Sequence, residues 1–418
     1  MRLSRLGLVS VSLILSVLTS SLVVSSPAQS RPQRPDNPKG EGKRNPRPTE
    51  EDLKKQEEER RRREEEKNAE VITEVEKIET NVVNVDAVVY NKKSGQIITG
   101  LKKENFAIFE DGVKQNISNF ATPESPITVT LVVEYSKWTE MFGQAQGGYF
   151  EPGTYEVIRP VASFLTKFIK PPNDYASVVA FDMRPTPITD FTNDPTRIRQ
   201  TIDILLKNYP AFRENNLFDA IKFSLYGGKT DAVVLENKDG NDKWREYGGM
   251  VDVKARRRAI ILVASGIDTF SKINFGDARK LVQEAGIPIY IISTGNLFYK
   301  KYESQLGPTD SITGMPGRLT FLQAANQLRT FAKESGGQLF EMTFPSEVPA
   351  YVNSINALLR SQYSMAYDLD TPHTAGKKYK LEVKVDVDGD GVFDDKQYIV
   401  QSRSFYIAPG TPEKDKKK

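Results

Sequence analysis

Between residues 126 and 360 of this chain, short unbroken apolar runs alternate with longer amphipathic ones. The runs at 127–133, 177–181, 260–263 and 287–292 carry no polar period, which is the mark of strands covered on both faces. Helical spacing fills the intervals, at 155–169, 195–206, 217–225, 277–285, 318–334 and 347–359. Strand followed by helix, repeated, predicts an α/β domain with a doubly wound, mostly parallel sheet. Two polar inserts, 227–254 and 295–317, read as surface loops.

On either side the period changes to two. In residues 81–122, Val83, Val85, Ala87 and Val89 alternate with polar residues, Phe106 and Ile108 do so again, and Asp111-Gly112 is a hairpin signal. In residues 361–408, Tyr379, Leu381, Val383 and Val385 alternate with Lys380, Glu382 and Lys384, a face that Asp386 continues outward; residues 398–407 supply return strands. A piece of about 40 residues rarely buries enough apolar surface by itself. The two flanks are therefore expected to pair into one β-sandwich-like domain, with the α/β domain inserted between them.

The ends change the picture of where the protein works. Arg2 and Arg5 precede an apolar stretch, Leu6 to Val24, and Ala28-Gln29-Ser30 offers small residues for cleavage, so residues 1–30 read as an export signal. The competing reading is an uncleaved membrane anchor, the only membrane association expected. The expected location is periplasmic, cell-surface or extracellular. Residues 31–48 are a proline-rich linker. Residues 49–80 place Glu57, Glu58 and Glu59 four positions before Arg61, Arg62 and Arg63, which predicts a solvated, charge-laced helix acting as a spacer. Residues 409–418 form a basic tail. Without cysteine there is no disulfide framework, thiol nucleophile or zinc-thiolate site. Loss of Arg2 and Arg5 with the signal would bring the net charge from +3 to +1, too balanced for a nucleic-acid partner.

Three polar stretches follow strand or loop positions at which an α/β sheet binds ligands: Glu134-Tyr135-Ser136-Lys137-Trp138, Asn215-Asn216-Leu217-Phe218-Asp219-Ala220 and Ala264-Ser265-Gly266-Ile267-Asp268-Thr269. With residues 98–106 and 109–112, with Asp190-Phe191-Thr192-Asn193-Asp194, and with Gly266-Ile267-Asp268-Thr269-Phe270-Ser271, they resemble the von Willebrand factor A-related family of secreted bacterial proteins, over roughly residues 81–408. The resemblance implies a metal-ion-dependent adhesion site with Asp-x-Ser-x-Ser, a Thr and a further Asp. Matched position by position, Glu134 stands for the first Asp, Ser136 is kept, Trp138 replaces the second Ser, Asn215 the Thr and Ser265 the Asp. One carboxylate among five ligand positions is a poor offer to Mg²⁺, so the site is expected to be degenerate, with Asp268 either a substitute ligand or a cap on the segment that follows it.

A second candidate is Asp386-Val387-Asp388-Gly389-Asp390-Gly391-Val392-Phe393-Asp394. Carboxylates at loop positions 1, 3, 5 and 9 with Gly at 6 reproduce the opening of a Ca²⁺ loop, though Gln397 stands where a bidentate Glu is usual, and a plain hairpin turn would select the same residues. Enzymatic readings find little support. The sole histidine, His373, reads as an exposed turn residue, and Gly228-Lys229-Thr230 fails as a phosphate loop because Phe223 occupies the first Gly position. The expectation is a non-enzymatic protein-binding module of the cell envelope, using loop aromatics Tyr135, Trp138, Phe142, Tyr149 and Phe150. Trp138 plugging the vacated metal pocket, a structural envelope spacer, and a hydrolase are the competing readings.

Overall fold

The computed structural model describes residues 82–137, 144–146, 149–151, 161, 165–166, 168–207, 210, 212–230, 245–311, 316–370 and 373–408. The export signal, linker, charged helix and basic tail lie outside them, as do most of residues 155–169. The first flank holds β1 (Val82–Asn91), β2 (Ile97–Ile98), β3 (Phe106–Glu110), β4 (Val113–Gln115) and β5 (Ile117–Ala121). The centre begins with β6 (Ile127–Glu134), β7 (Gln144–Gln146), β8 (Tyr149–Glu151), β9 (Tyr175–Phe181) and β10 (Pro185–Thr192), followed by helices α1 (Pro195–Lys207) and α2 (Leu217–Tyr226). It continues through β11 (Gly228–Thr230), β12 (Arg245–Tyr247), β13 (Arg257–Ala264), α3 (Phe275–Ala285), β14 (Ile289–Ser293), α4 (Gly295–Tyr302), α5 (Arg318–Ser335), β15 (Leu339–Glu341) and α6 (Val348–Leu359). The second flank is β16 (Tyr363–Asp368), β17 (Lys378–Val385), β18 (Tyr398–Ser402) and β19 (Phe405–Ile407).

The central sheet has the order β10-β9-β6-β13-β14-β15. Five strands run parallel, while β10 returns antiparallel to β9 after the turn at 182–184, a connection too short for a parallel crossover. The sheet is therefore mixed, not uniformly parallel. Pro185 and Pro187 suit β10 to the edge it occupies, because proline cannot donate to a second neighbour. Alternate residues of β6 and β13 serve opposite faces. Leu131, Val133, Ile261 and Val263 pack with Ile198 of α1 and Val352 and Ile355 of α6. Val132, Ile260 and Leu262 pack with Ile221 of α2, Val282 of α3 and Phe331 of α5.

Both supposed surface loops contain core. In the first insert Tyr247 is fully buried, stacked on Phe223 at 5.0 Å and on Phe191 at 5.8 Å, with its hydroxyl 2.7 Å from Ser177 Oγ. In the second, α4 buries Leu297 and Phe298, an apolar pair hidden among polar neighbours. The edge strands β10 and β15 also have no apolar run to announce them.

Strands from the two flanks interleave in two further sheets. One has the order β18-β1-β16-β5, with β2 beside β1; the other is β19-β17-β3-β4. A single apolar cluster joins their facing residues, among them Val85, Val89, Ile108, Met365, Leu381, Val383 and Tyr406. His373 belongs to this region and is not an exposed turn residue. Its ring stacks on Tyr379 at 3.7 Å, Nε2 lies 2.9 Å from Glu110 Oε1, and Nδ1 is bonded to the Tyr406 hydroxyl. The cause is Glu110, a buried carboxylate on β3 that needs partners and also accepts from the Tyr367 hydroxyl. Burial, with Glu110 adding to it, pushes the Tyr406 hydroxyl well above the ordinary tyrosine range.

The chain enters the centre near residue 126 and leaves it near residue 360, and buried charge ties the two crossings together. Arg257, fully buried at the start of β13, donates through Nη1 to the carbonyls of Pro123 at 2.7 Å and Ser125 at 2.5 Å, and through Nη2 to the carbonyl of Leu359. Burial brings its guanidinium down to about 10. Asp174 accepts from the Ile127 amide at 3.0 Å and pairs with Arg360 at 2.5 Å. Burial alone would raise the Asp174 carboxyl, but Arg360 and the Ile127 and Lys170 amides outweigh it and hold it below its ordinary value. Replacing Arg257 by Met keeps most of the volume and strips three carbonyls of their donor. The expected loss is on the order of 3–5 kcal/mol in a urea unfolding titration; a loss under about 1 kcal/mol would show that water replaces the guanidinium without penalty.

Candidate functional site

Counted from β6, the central sheet runs 3-2-1-4-5-6, so the connections diverge between β6 and β13. Ligands of open α/β sheets bind at such a divergence, beyond the carboxyl ends of the strands. Glu134 is the last residue of β6, Ser265 follows the end of β13, and Asn215 precedes α2. The structure brings these three together with Ser136. Glu134 Oε1 accepts from Ser136 Oγ at 2.8 Å and from Asn215 Nδ2 at 2.8 Å, while Oε2 accepts from the Ser265 amide at 2.6 Å. None of the four is more than 4% exposed. A carboxylate so deeply placed is tolerated because each bond is charge-assisted.

These residues do not fit a divalent cation. Mg²⁺ asks for about six oxygen acceptors in octahedral array. Here the single carboxylate is already engaged by three donors, and Asn215 offers it amide hydrogens. The buried acceptors left over in the second stretch, Asn215 Oδ1 and Asn216 Oδ1, are neutral amide oxygens. Asp268 caps the segment that follows it, accepting from the Ser271 amide, and caps a second element as well. Its Oδ1 accepts from the amide of Phe218 at 3.2 Å and from the Ser271 hydroxyl, and Ser271 Oγ accepts from the amides of Phe218 and Asp219 at 3.1 Å each. The pair thus caps α2, about 50 residues earlier in the chain, where four amides lack partners within the helix. Burial, reinforced by the nearby Asp219, raises the Asp268 carboxyl. Beside it, Thr269 Oγ1 accepts from the Asn215 amide, and the amides of Thr269 and Phe270 donate to the Asn215 carbonyl, all at 2.8 Å. The second and third stretches are therefore one bonded unit.

Of the candidate aromatics, Tyr135 is half-buried, its hydroxyl donating to the Leu205 carbonyl at 2.9 Å and its ring packed on the core, so it is not a displayed anchor. Trp138 and Phe142 lie outside the described residues, as do the side chains of Tyr149 and Phe150 in β8. Other apolar residues are displayed at this end of the sheet. Phe212 is 46% exposed and Phe270 51%; Leu319 and Leu322 on the first turns of α5 and Phe344 beyond β15 are at least half exposed. Phe212 is tied to the site by the Lys137 amide, which donates to its carbonyl at 2.8 Å. Leu322 lines a cleft of about 170 Å³ with Ser265, Asn296, Tyr299 and Asn326. They come from separate segments of the chain, and only the topology shows that they share an end.

The acidic loop after β17 is also drawn together. Carboxylate oxygens of Asp386, Asp388 and Asp394 lie within 4.8 Å of one another. Asp386 does not continue the outward face; it is 9% exposed and turns into its own loop, accepting from the amides of Gly389 at 2.7 Å and Gly391 at 2.8 Å. Positive φ at both glycines, +79° and +89°, lets the loop wrap around it. Burial pushes the Asp386 carboxyl up, but the amides of Gly391 and Gly389 outweigh it and hold it below the usual range. Asp390 stands apart, accepting from the Val392 amide at 2.7 Å.

Among solved structures, the chain is similar to proximal thread matrix protein 1 from the mussel byssus, at 12% identity and a TM-score of 0.37, over 60% of this chain and 50% of that one. The chain thus spans about half the length of the mussel protein. It is also similar to the von Willebrand factor domain of the type V pili tip protein Mfa5 from Porphyromonas gingivalis (14% identity, TM-score 0.35, 56% of this chain and 94% of that one). A von Willebrand factor type A protein from Catenulispora acidiphila gives 8% identity and a TM-score of 0.36 over 81% of this chain and 76% of that one. No family model matches the chain. No curated protein matches it. At such identities and TM-scores, what the site can do follows from its own residues.

Removal of the Glu134 carboxylate leaves the Ser136 hydroxyl, the Asn215 amide and the Ser265 amide buried without an acceptor. Glu134→Ala is expected to cost about 2–4 kcal/mol of stability. Mg²⁺ at about 10 mM should leave the melting temperature of the intact protein unchanged, since an ion bound only to the native state would raise it. A Mg²⁺-dependent rise that disappears in Glu134→Ala would show that the residues do accommodate the ion.

Proposed function

We propose that the chain is an exported, non-enzymatic protein-binding module of the cell envelope, whose recognition face is the carboxyl end of the central sheet. The observation that carries this reading is the rim of displayed apolar residues, Phe212, Phe270, Leu322 and Phe344, around a crevice closed by Glu134. Apolar and aromatic side chains held on bonded loops are what binding hot spots are made of. The crevice itself gives little to catalysis: Ser136 is fully buried and already donates to Glu134, so neither reaches a substrate. The export part of the proposal rests on residues 1–30. Among the described residues no helix is long and apolar enough to cross a membrane.

Immobilised protein incubated with envelope extract is expected to retain a specific protein, and the triple variant Phe212→Ser, Phe270→Ser, Phe344→Ser to release it. Exposed aromatic anchors contribute about 1–2 kcal/mol each, so the combined loss of affinity should exceed roughly 30-fold. The melting temperature should not move, because these side chains support nothing beneath them. Equal capture by the triple variant would place recognition elsewhere.

We also propose a weak Ca²⁺ site at Asp386, Asp388 and Asp394, with Asp390 supplying charge. The convergence of three carboxylates in a loop folded around one of them favours this over a bare hairpin turn. Each oxygen engaged by an amide keeps a second lone pair for an ion. Calorimetric titration is expected to give a dissociation constant of about 10⁻⁴ to 10⁻³ M, as in extracellular modules, and the Asp388→Asn, Asp390→Asn double variant to weaken it at least tenfold. Absence of heat at millimolar Ca²⁺, or equal heat from the double variant, would leave the turn as the whole explanation.

A further inference from the structure

We infer that the cleft between the β1-β16-β5 sheet and the basic strip leading into β13 binds an oxyanion, the phosphate or carboxylate group of a small ligand. The cleft encloses about 250 Å³ at the amino end of the central sheet, opposite the recognition face, and the inference is independent of that reading. Its walls come from two layers. Asn84, Asp86 and Ser364 present the polar side of one sheet; Lys254, Arg256 and Arg258 present consecutive alternate positions of the segment that becomes β13. Three cations therefore face one carboxylate.

The cations differ in how they are held. Arg258 is anchored, its Nη1 donating to the carbonyls of Met250 at 3.2 Å and Val251 at 2.8 Å. Lys254 and Arg256 are exposed, and among the described residues neither has an ion pair or a side-chain hydrogen bond. On an open convex surface two such side chains would simply be solvated. Here they border a concave polar space between low-dielectric layers, where fields from like charges add. The single opposing charge is restrained as well. The Ser364 hydroxyl donates to Asp86 Oδ1, and burial raises the Asp86 carboxyl despite Arg258 and Arg403 nearby. A net positive polar cleft, smaller than the ~300–1,000 Å³ of sites for drug-sized ligands, suits one oxyanion with a few attached atoms.

Asp86 gives the test its direction. Titration of the intact protein with inorganic phosphate and, separately, with citrate at low ionic strength is expected to show saturable binding of at least one; which one identifies the phosphate or the carboxylate source. The Lys254→Ala, Arg256→Ala double variant should weaken binding at least tenfold without moving the melting temperature. Asp86→Asn should tighten it several-fold, because it removes the repelling charge and keeps an acceptor for Ser364. The Lys300→Ala, Lys301→Ala double variant, which removes two cations from α4, should bind as the wild type does. No saturable binding below about 20 mM of either anion, an equal loss in the α4 variant, or weaker binding by Asp86→Asn would each overturn the inference; if Asp86→Asn does not fold, the two lysine-containing double variants decide it.

Discussion

Burial of one guanidinium at the foot of β13 governs how the parts of this protein meet. Arg257 sits where the chain crosses from the flanking sheets into the central sheet and where it crosses back, and it answers carbonyls from both crossings. Irregular backbone at a crossing cannot use the ladder bonds of a strand, and in a dry place its carbonyls need a donor. A guanidinium, with several donors in a fixed fork, can satisfy more than one at once. Asp174 does the same for the opposite polarity, accepting from the Ile127 amide while pairing with Arg360. Arg403 adds a third tie, from the Gln283 carbonyl in the last turn of α3 to the Asn84 carbonyl on β1. The connections are made by charges buried against backbone, so the relative placement of the layers is specified by geometry rather than by apolar area alone.

The opposite end of the same strand shows a different use of buried charge. At Ser265 the amide that ends β13 turns to the Glu134 carboxylate, and two side-chain donors complete the set. The loop cluster is held by one anion collecting donors. The set is self-consistent: an acidic side chain reaches across the strands, the Asn215 side-chain amide donates to it, and the Ser265 backbone amide donates as well. An acid at position 265 would place two buried carboxylates side by side, and like charges so close cannot both ionise cheaply.

Regular periodicity made the two halves readable. The four apolar runs of the centre correspond to β6, β9, β13 and β14, and the alternation of Tyr379 to Val385 matches the burial of β17, with Lys384 alone intermediate. Glu134, Ser136 and Ser265 were also within reach of the sequence, because strand ends have fixed places in this topology, whereas Asn215 came only from the resemblance to the von Willebrand factor A-related family. What escaped was decided by partners far along the chain. Tyr247 looks like loop until Phe223 and Phe191 close on it; His373 looks exposed until Glu110 on β3 requires it; Asp268 caps a helix that precedes it by about 50 residues. Asp386 broke a clean alternation because glycines three and five positions later let the loop fold back on it. Local pattern cannot carry such information, since each outcome depends on a tertiary acceptor or donor.

The two ends of the central sheet thus differ in what they leave unsatisfied, and this bears on how the protein can bind. At the carboxyl end the Glu134 carboxylate is paired with its neighbours, and the loops fixed by the Asn215, Thr269 and Ser271 bonds display apolar surface. Loops fixed beforehand lose little entropy on binding, so affinity can come from a few buried side chains without an ion to bridge the two proteins. At the amino end the cleft is polar, and among the described residues Lys254 and Arg256 have no ion pair there. Binding there would depend on ionic strength in a way that binding at the carboxyl end would not, because desolvated apolar contacts are not screened and solvent-facing charges are. On the two proposals above, the central sheet presents two faces whose ligands would not be exchanged: one selecting by shape and apolar area, the other by charge.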